Sequence, residues 1–80
     1  MEIKVIGSGC DKCGQLYGNT CEAVKNLNLN ARVTKVEDLI EIVMLGVMTV
    51  PALMVDGKIL SAGRVLKTPE IEKLLRGVQE

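Results

Sequence analysis

Ser8-Gly9-Cys10-Asp11-Lys12-Cys13 is the stretch on which the reading of this chain turns. It sets two cysteines two residues apart. Just upstream, Ile3-Lys4-Val5-Ile6 is a short, mostly apolar run of the kind found in a strand covered on both faces. Downstream, Cys13, Tyr17, Cys21, Val24 and Leu27 recur at spacings of four, four, three and three, which is one face of an α-helix. The cysteine pair therefore sits at a strand-to-helix junction, where Cys-x-x-Cys carries chemistry more often than architecture. Backbone N–H groups in the first turn of a helix have no carbonyl partners, and the helix dipole is positive there. A thiolate at Cys10 would be stabilised by both, so Cys10 is the expected nucleophile. Cys13 lies one turn further on, close enough for a disulfide if side-chain geometry allows. The pair reads as a redox dithiol. A zinc half-site competes with that reading, and a structural disulfide is the plainest one.

Composition narrows the choice. Eighty residues make one small domain, and 48% hydrophobic residues suffice for one core. Tyr17 is the single aromatic residue, so that core is aliphatic. Lys+Arg and Asp+Glu number 10 each, and no basic run appears, so nucleic-acid binding has no support. No apolar run approaches the length of a membrane span, and none at the N-terminus has the form of a secretory signal. Three cysteines are too few for a secreted disulfide scaffold and leave one unpaired within the chain. The expected compartment is the cytoplasm, where a cysteine pair is redox-active or metal-binding rather than structural.

The remaining segments follow in order. Residues 2–7 read as strand one, closed by Gly7, Ser8 and Gly9, whose two glycines would let a partner backbone approach the cysteines. Residues 11–29 read as helix one, in which Leu16 and Thr20 widen the apolar face. Gly14 and Gly18 each cost ~1 kcal/mol against Ala in a helix interior, so either something packs closely there or they are simply tolerated. Asn28 and Asn30 suit the helix end. Ala31–Val36 reads as strand two, completing a right-handed βαβ unit. Glu37–Gly46 reads as helix two, with Val36, Leu39, Ile40, Val43, Met44 and Val47 as its apolar stripe. Ile42 and Leu45 lie off that stripe, as scattered surface residues or as a partner contact. Asp56-Gly57 predicts a hairpin between strands at 51–55 and 58–61, with Pro51 at the start of its strand. Thr68 is expected to cap a last helix with Pro69 in its first position and Ile71, Leu74, Leu75 and Val78 on its apolar face.

The order β-α-β-α-β-β-α, with Cys10-Asp11-Lys12-Cys13 after strand one and Thr49-Val50-Pro51 before the hairpin, resembles the thioredoxin fold in its minimal, glutaredoxin-sized form. The chain is most similar to the small thioredoxin-like redox-active disulfide proteins of archaea and bacteria. The segments that carry the likeness are Gly7-Ser8-Gly9-Cys10, Gly46-Val47-Met48-Thr49-Val50-Pro51-Ala52-Leu53 and Gly63-Arg64-Val65.

That resemblance implies an α/β fold with a four-stranded mixed sheet, as one domain over residues 1–80. It implies a thiol–disulfide oxidoreductase in which Cys10 attacks protein disulfides and Cys13 resolves the mixed disulfide. It makes Pro51 a cis-proline facing the pair, with Thr49, Val50 and Gly63 beside it as substrate-binding residues. The partners expected are protein disulfides and a reductase, with no cofactor, nucleic acid or membrane, and the chain is expected to be a monomer.

Some residues depart from the relatives. Gly9 stands where thioredoxins usually carry Trp, and Asp11-Lys12 replaces both Gly-Pro and Pro-Tyr. Ala62-Gly63-Arg64 lacks the paired glycines and acidic residue with which glutaredoxins hold glutathione, so glutathione is expected to be a poor partner.

Two further expectations can be tested on the structure. Cys21 is eight residues beyond Cys13, ~12 Å along a helix, which is too far for a bridge, so it should be a core residue. Val47, Met48, Val50 and Leu45 should form an apolar surface around Cys10. The alternative function is a metal- or cluster-binding module. With no His in the chain, it would need a second copy to complete its ligands. Copper-carrying domains share the early Cys-x-x-Cys but end in a strand, whereas this chain ends in a helical pattern.

Overall fold

The structure is a computed structural model and describes residues 1–7 and 11–79. Seven elements follow one another: β1 (Glu2–Ile6), α1 (Asp11–Asn26), β2 (Arg32–Val36), α2 (Leu39–Met44), β3 (Ala52–Val55), β4 (Lys58–Ala62) and α3 (Thr68–Gln79). They form one sheet of order β2-β1-β3-β4. β2 runs parallel to β1, and β3 is antiparallel to both β1 and β4. The sheet is therefore mixed and four-stranded, as expected.

Strand alternation separates two cores. Ile3 and Val5 point to one face, where Leu53 and Val55 join them beneath Leu16 and Ala23 of α1 and Ile71 and Leu75 of α3. Ile6 points to the other face and meets Val36, Ala52 and Met54 beneath Ile42 and Val47. Both cores are aliphatic. Among the described residues the one buried polar side chain is Thr20, whose hydroxyl donates to the Leu16 carbonyl at 2.7 Å.

Helix α1 stops at Asn26 rather than residue 29. Asn28 turns left-handed at φ 53°. Its N–H donates to the Lys25 carbonyl, and the Leu29 N–H donates back to Val24, both at 3.1 Å, which is a Schellman end with Asn in the place of Gly. The centre of the buried face is Cys13, Leu16, Thr20 and Ala23, while Tyr17, Cys21, Val24 and Leu27 are half-buried on its flank. Cys21 is thus a rim residue and not a core one. At the hairpin, Asp56 and Gly57 both have positive φ, 48° and 85°, the pattern of a type I′ turn. At the last helix, Thr68 is the first helical residue, and Glu70 Oε1 secures the start by accepting from the Lys67 N–H at 3.2 Å.

Helix α2 departs most from expectation. It has six residues, not ten, and Asp38 caps it by accepting from the Ile40 N–H at 2.9 Å. Its buried side is the one read as off the stripe, with Ile42 4% exposed and Leu45 packed against the same core. Leu39, Ile40, Val43 and Met44 face solvent. Val36 and Val47 are buried but belong to β2 and to a loop. Counting them into a 3.6-residue period placed the expected face nearly opposite the buried one, ~160° away at ~100° per residue.

Candidate redox site

The site lies at the end of the sheet where β1 closes, β2 ends and β3 begins. Cys10, the expected nucleophile, lies outside the described residues, as do Ser8 and Gly9. Cys13 stands in the first turn of α1 and is 7% exposed.

Gly7 positions Cys13. Its N–H donates to the Val36 carbonyl at 2.9 Å, holding the end of β1 against β2. Its φ is +155°, and a Cβ added there would overlap Cys13 Sγ. That Cβ would also come within 3.5 Å of Val50 Cβ. The missing side chain makes room for the sulfur of Cys13, so the close approach foreseen for a partner backbone is occupied by the chain's own cysteine. Gly7 was not expected to be a site residue. The signal was available, because it opens the Gly-x-Gly-Cys motif, but its meaning depended on a contact six residues away.

Thr49, Val50, Pro51 and Gly63 come together beside this point. The Val50–Pro51 peptide bond is cis, and Pro51 is buried. The Pro51 carbonyl accepts from the Gly63 N–H at 2.8 Å. Gly63 has φ +79°, and a Cβ there would stand 3.1 Å from Thr49 Cγ2, so a larger residue would strain the backbone and crowd Thr49. Thr49 and Val50 are exposed. Of the residues expected to form an apolar surface, Met48 and Val50 are exposed and Leu45 is half-buried, but Val47 belongs to the core; Cys10, which that surface was to surround, lies outside the described residues.

On its other side Cys13 borders a recess of about 240 Å³ lined by Val5, Gly7, Asp11, Gly14, Lys35 and Glu37. The Lys35 ammonium lies 4.8 Å from the centroid of the Tyr17 ring, a cation–π contact. The Tyr17 hydroxyl is pushed above its ordinary value near 10, chiefly by the charge of the Cys21 thiolate, then by a hydrogen bond to Cys21, and last by burial. Arg64, which could have offered a cation to glutathione, is engaged with Glu70 at 3.2 Å. Among the described residues no three His, Cys, Asp or Glu side chains gather to hold a metal ion. No helix there is long and apolar enough to cross a membrane.

Comparison with known proteins agrees with this arrangement. A family model for a thioredoxin domain matches residues 1–76. A thioredoxin of Methanothermobacter thermautotrophicus is 39% identical over 75 residues, covering 94% of this chain and 97% of the relative. A thioredoxin of Methanocaldococcus jannaschii is 35% identical over 78 residues, covering 98% and 90%. The chain belongs to the thioredoxin family.

Proposed function

We propose that this thioredoxin-family chain is a thiol–disulfide oxidoreductase that reduces protein disulfides through Cys10 and Cys13. The observation that carries the reading is the convergence of Cys13, against Gly7, with the exposed Thr49-Val50 turn and the Pro51–Gly63 contact. A resolving thiol held beside the exposed turn that receives the substrate is what completion of the exchange requires, because Cys13 meets the Cys10 sulfur and not the substrate.

The exchange balances in two steps. The Cys10 thiolate attacks one sulfur of the substrate disulfide, forming a mixed disulfide and expelling a substrate thiolate. Cys13, having lost its proton, attacks the Cys10 sulfur and expels the second substrate thiolate. The substrate gains two electrons and, once its thiolates are protonated, two protons, and the chain is left with a Cys10–Cys13 disulfide. A reductase or another dithiol returns the two electrons. Val50 offers backbone groups to the bound segment, and Thr49 and Gly63 border it. On this reading the chain works as a cytoplasmic monomer, with glutathione a poor partner because Ala62-Gly63-Arg64 lacks the paired glycines and acidic residue that would hold it. No observation favours the metal-binding alternative.

Trapping tests the roles. Cys13→Ser should attack a protein disulfide and stall as a mixed disulfide through Cys10, whereas Cys10→Ser should trap little. Capture by Cys10→Ser alone would reverse the roles. If neither variant traps and the wild type reduces no protein disulfide, the oxidoreductase reading is wrong.

A further inference from the structure

We propose that the outward face of α2, together with Met48 and Val50, is a docking surface for a disulfide-bearing protein segment whose apolar side chains are flanked by Lys or Arg. This rests on the oxidoreductase reading and adds to it a choice of partner. Among the described residues eight large hydrophobic side chains are exposed, and six of them are Leu39, Ile40, Val43, Met44, Met48 and Val50. Single exposed apolar residues are ordinary, but a contiguous group rimmed by polar residues marks an interaction surface. Leu39, Ile40, Val43 and Met44 are 68 to 80% exposed, and Met48 is 98% exposed.

The fold does not need them. Ile42 and Leu45 already anchor α2 to the sheet. Ile40 and Val43 are also poorer helix formers than the Lys or Glu that an exposed position would accept. The face is continuous with the site through Val50. That residue approaches Gly7 beside Cys13 and also lines a groove of about 430 Å³ with Leu39, Ile42, Val43, Val47 and Met48. Two methionines on such a surface supply contact that adapts to different sequences.

Charge selects the occupant. Every ionisable residue from 36 to 50 is acidic, and all three, Glu37, Asp38 and Glu41, are exposed. Lys4, which the alternation of β1 places on the same side of the sheet, is paired with Glu2 at 3.8 Å. Two copies joined through this face about a two-fold axis would bring acid against acid, which disfavours a second copy of the chain. A basic rim on the partner would instead be drawn to the surface.

The test uses the reduced full-length chain and three synthetic cystine peptides of equal length. Their half-cystines are flanked by Leu and Lys, by Leu and Glu, or by Ser and Lys. Each rate is divided by the rate of the same protein with hydroxyethyl disulfide, which reports the chemistry without docking. The Leu/Lys peptide should exceed the other two roughly tenfold, and its lead over Leu/Glu should shrink as salt rises. In Leu39→Gln/Val43→Gln/Met44→Gln the lead over Ser/Lys should fall away, and in Glu37→Gln/Glu41→Gln the lead over Leu/Glu should fall away. Equal normalised rates for the three peptides with the wild type would overturn the docking proposal, as would a triple variant that keeps the full preference. A wild-type dimer in sedimentation that separates in the triple variant would assign the face to a second copy and overturn it too. If hydroxyethyl disulfide itself is not reduced, the oxidoreductase reading fails and the docking proposal fails with it.

Discussion

Gly7 and Cys13 share one volume: the sulfur of Cys13 occupies the space that a Cβ on residue 7 would take. The backbone at Gly7 also has a φ of +155°, which side chains rarely adopt. Gly7→Ala therefore meets two obstacles, an overlap with sulfur and a strained backbone. It should destabilise the fold by about 1–3 kcal/mol, seen as a lower urea midpoint. It should also slow protein-disulfide reduction more than the loss of stability explains, because Cys13 must move. An unchanged midpoint and rate would mean that the junction between β1 and α1 relaxes freely.

Gly14 and Gly18 should behave in the opposite way. Both lie in α1, are exposed, and have nothing within 4 Å of an added Cβ. Close packing is therefore not what keeps them glycine. Gly14→Ala and Gly18→Ala should each stabilise the protein by about 0.4–1 kcal/mol through helix propensity and a less flexible unfolded chain. The readout is a higher urea midpoint with an unchanged slope. Gly14 also borders the recess beside Cys13, so a gain at Gly18 alone would point to a role for the recess.

The contrast among these glycines shows what was legible beforehand. The mostly apolar run Ile3-Lys4-Val5-Ile6, the Asp56-Gly57 turn and the cysteine pair at a strand-to-helix junction are local signals, and all seven elements could be placed from such signals. The meaning of Gly7 depends on where Cys13 points, and that of Gly63 on Thr49, fourteen residues back in the chain. Long-range contacts of this kind leave no periodicity to read. On α1 the spacing of Cys13, Tyr17, Cys21, Val24 and Leu27 found a real face but missed its centre, because Ala23 carries little hydrophobic signal though it is fully buried.

Tyr17 provides a clean optical probe, since the chain has one Tyr and no Trp. Its hydroxyl is raised above 10 mainly by the charge of the Cys21 thiolate. In Cys21→Ala the phenolate absorbance should appear at lower pH, closer to the ordinary value. The sign for stability follows from linkage. A folded pKa above the unfolded one gives a contribution that is full below about pH 10 and is lost as pH rises through the folded pKa. Stability of the wild type should therefore decline through that alkaline range more steeply than that of Cys21→Ala. Identical titrations in the two proteins would exclude the coupling.

The two sides of α2 make the sharpest test of the fold. An apolar stripe taken through Val36 and Val47 puts Leu39, Ile40, Val43 and Met44 inside, whereas the structure puts Ile42 there, with Leu45 against the same core. Ile42 is enclosed by Ile6, Val36, Val47, Ala52 and Met54, so Ile42→Ala removes transfer energy and leaves a cavity. It should cost about 2–5 kcal/mol, toward the low end because so short a helix can settle inward. Met44→Ala removes a side chain that is 80% exposed, and the substitution should stay within about 0.5 kcal/mol of neutral. Helix propensity cannot produce this contrast, since Ala is the better helix former at both positions. The propensity gain is larger at Ile42, since Ile is the poorer helix former, so it works against the contrast, which comes from burial. A large loss for Met44→Ala with a small one for Ile42→Ala would turn α2 over, put Leu39 and Val43 back into the core, and remove the apolar face beside Val50 on which partner docking depends.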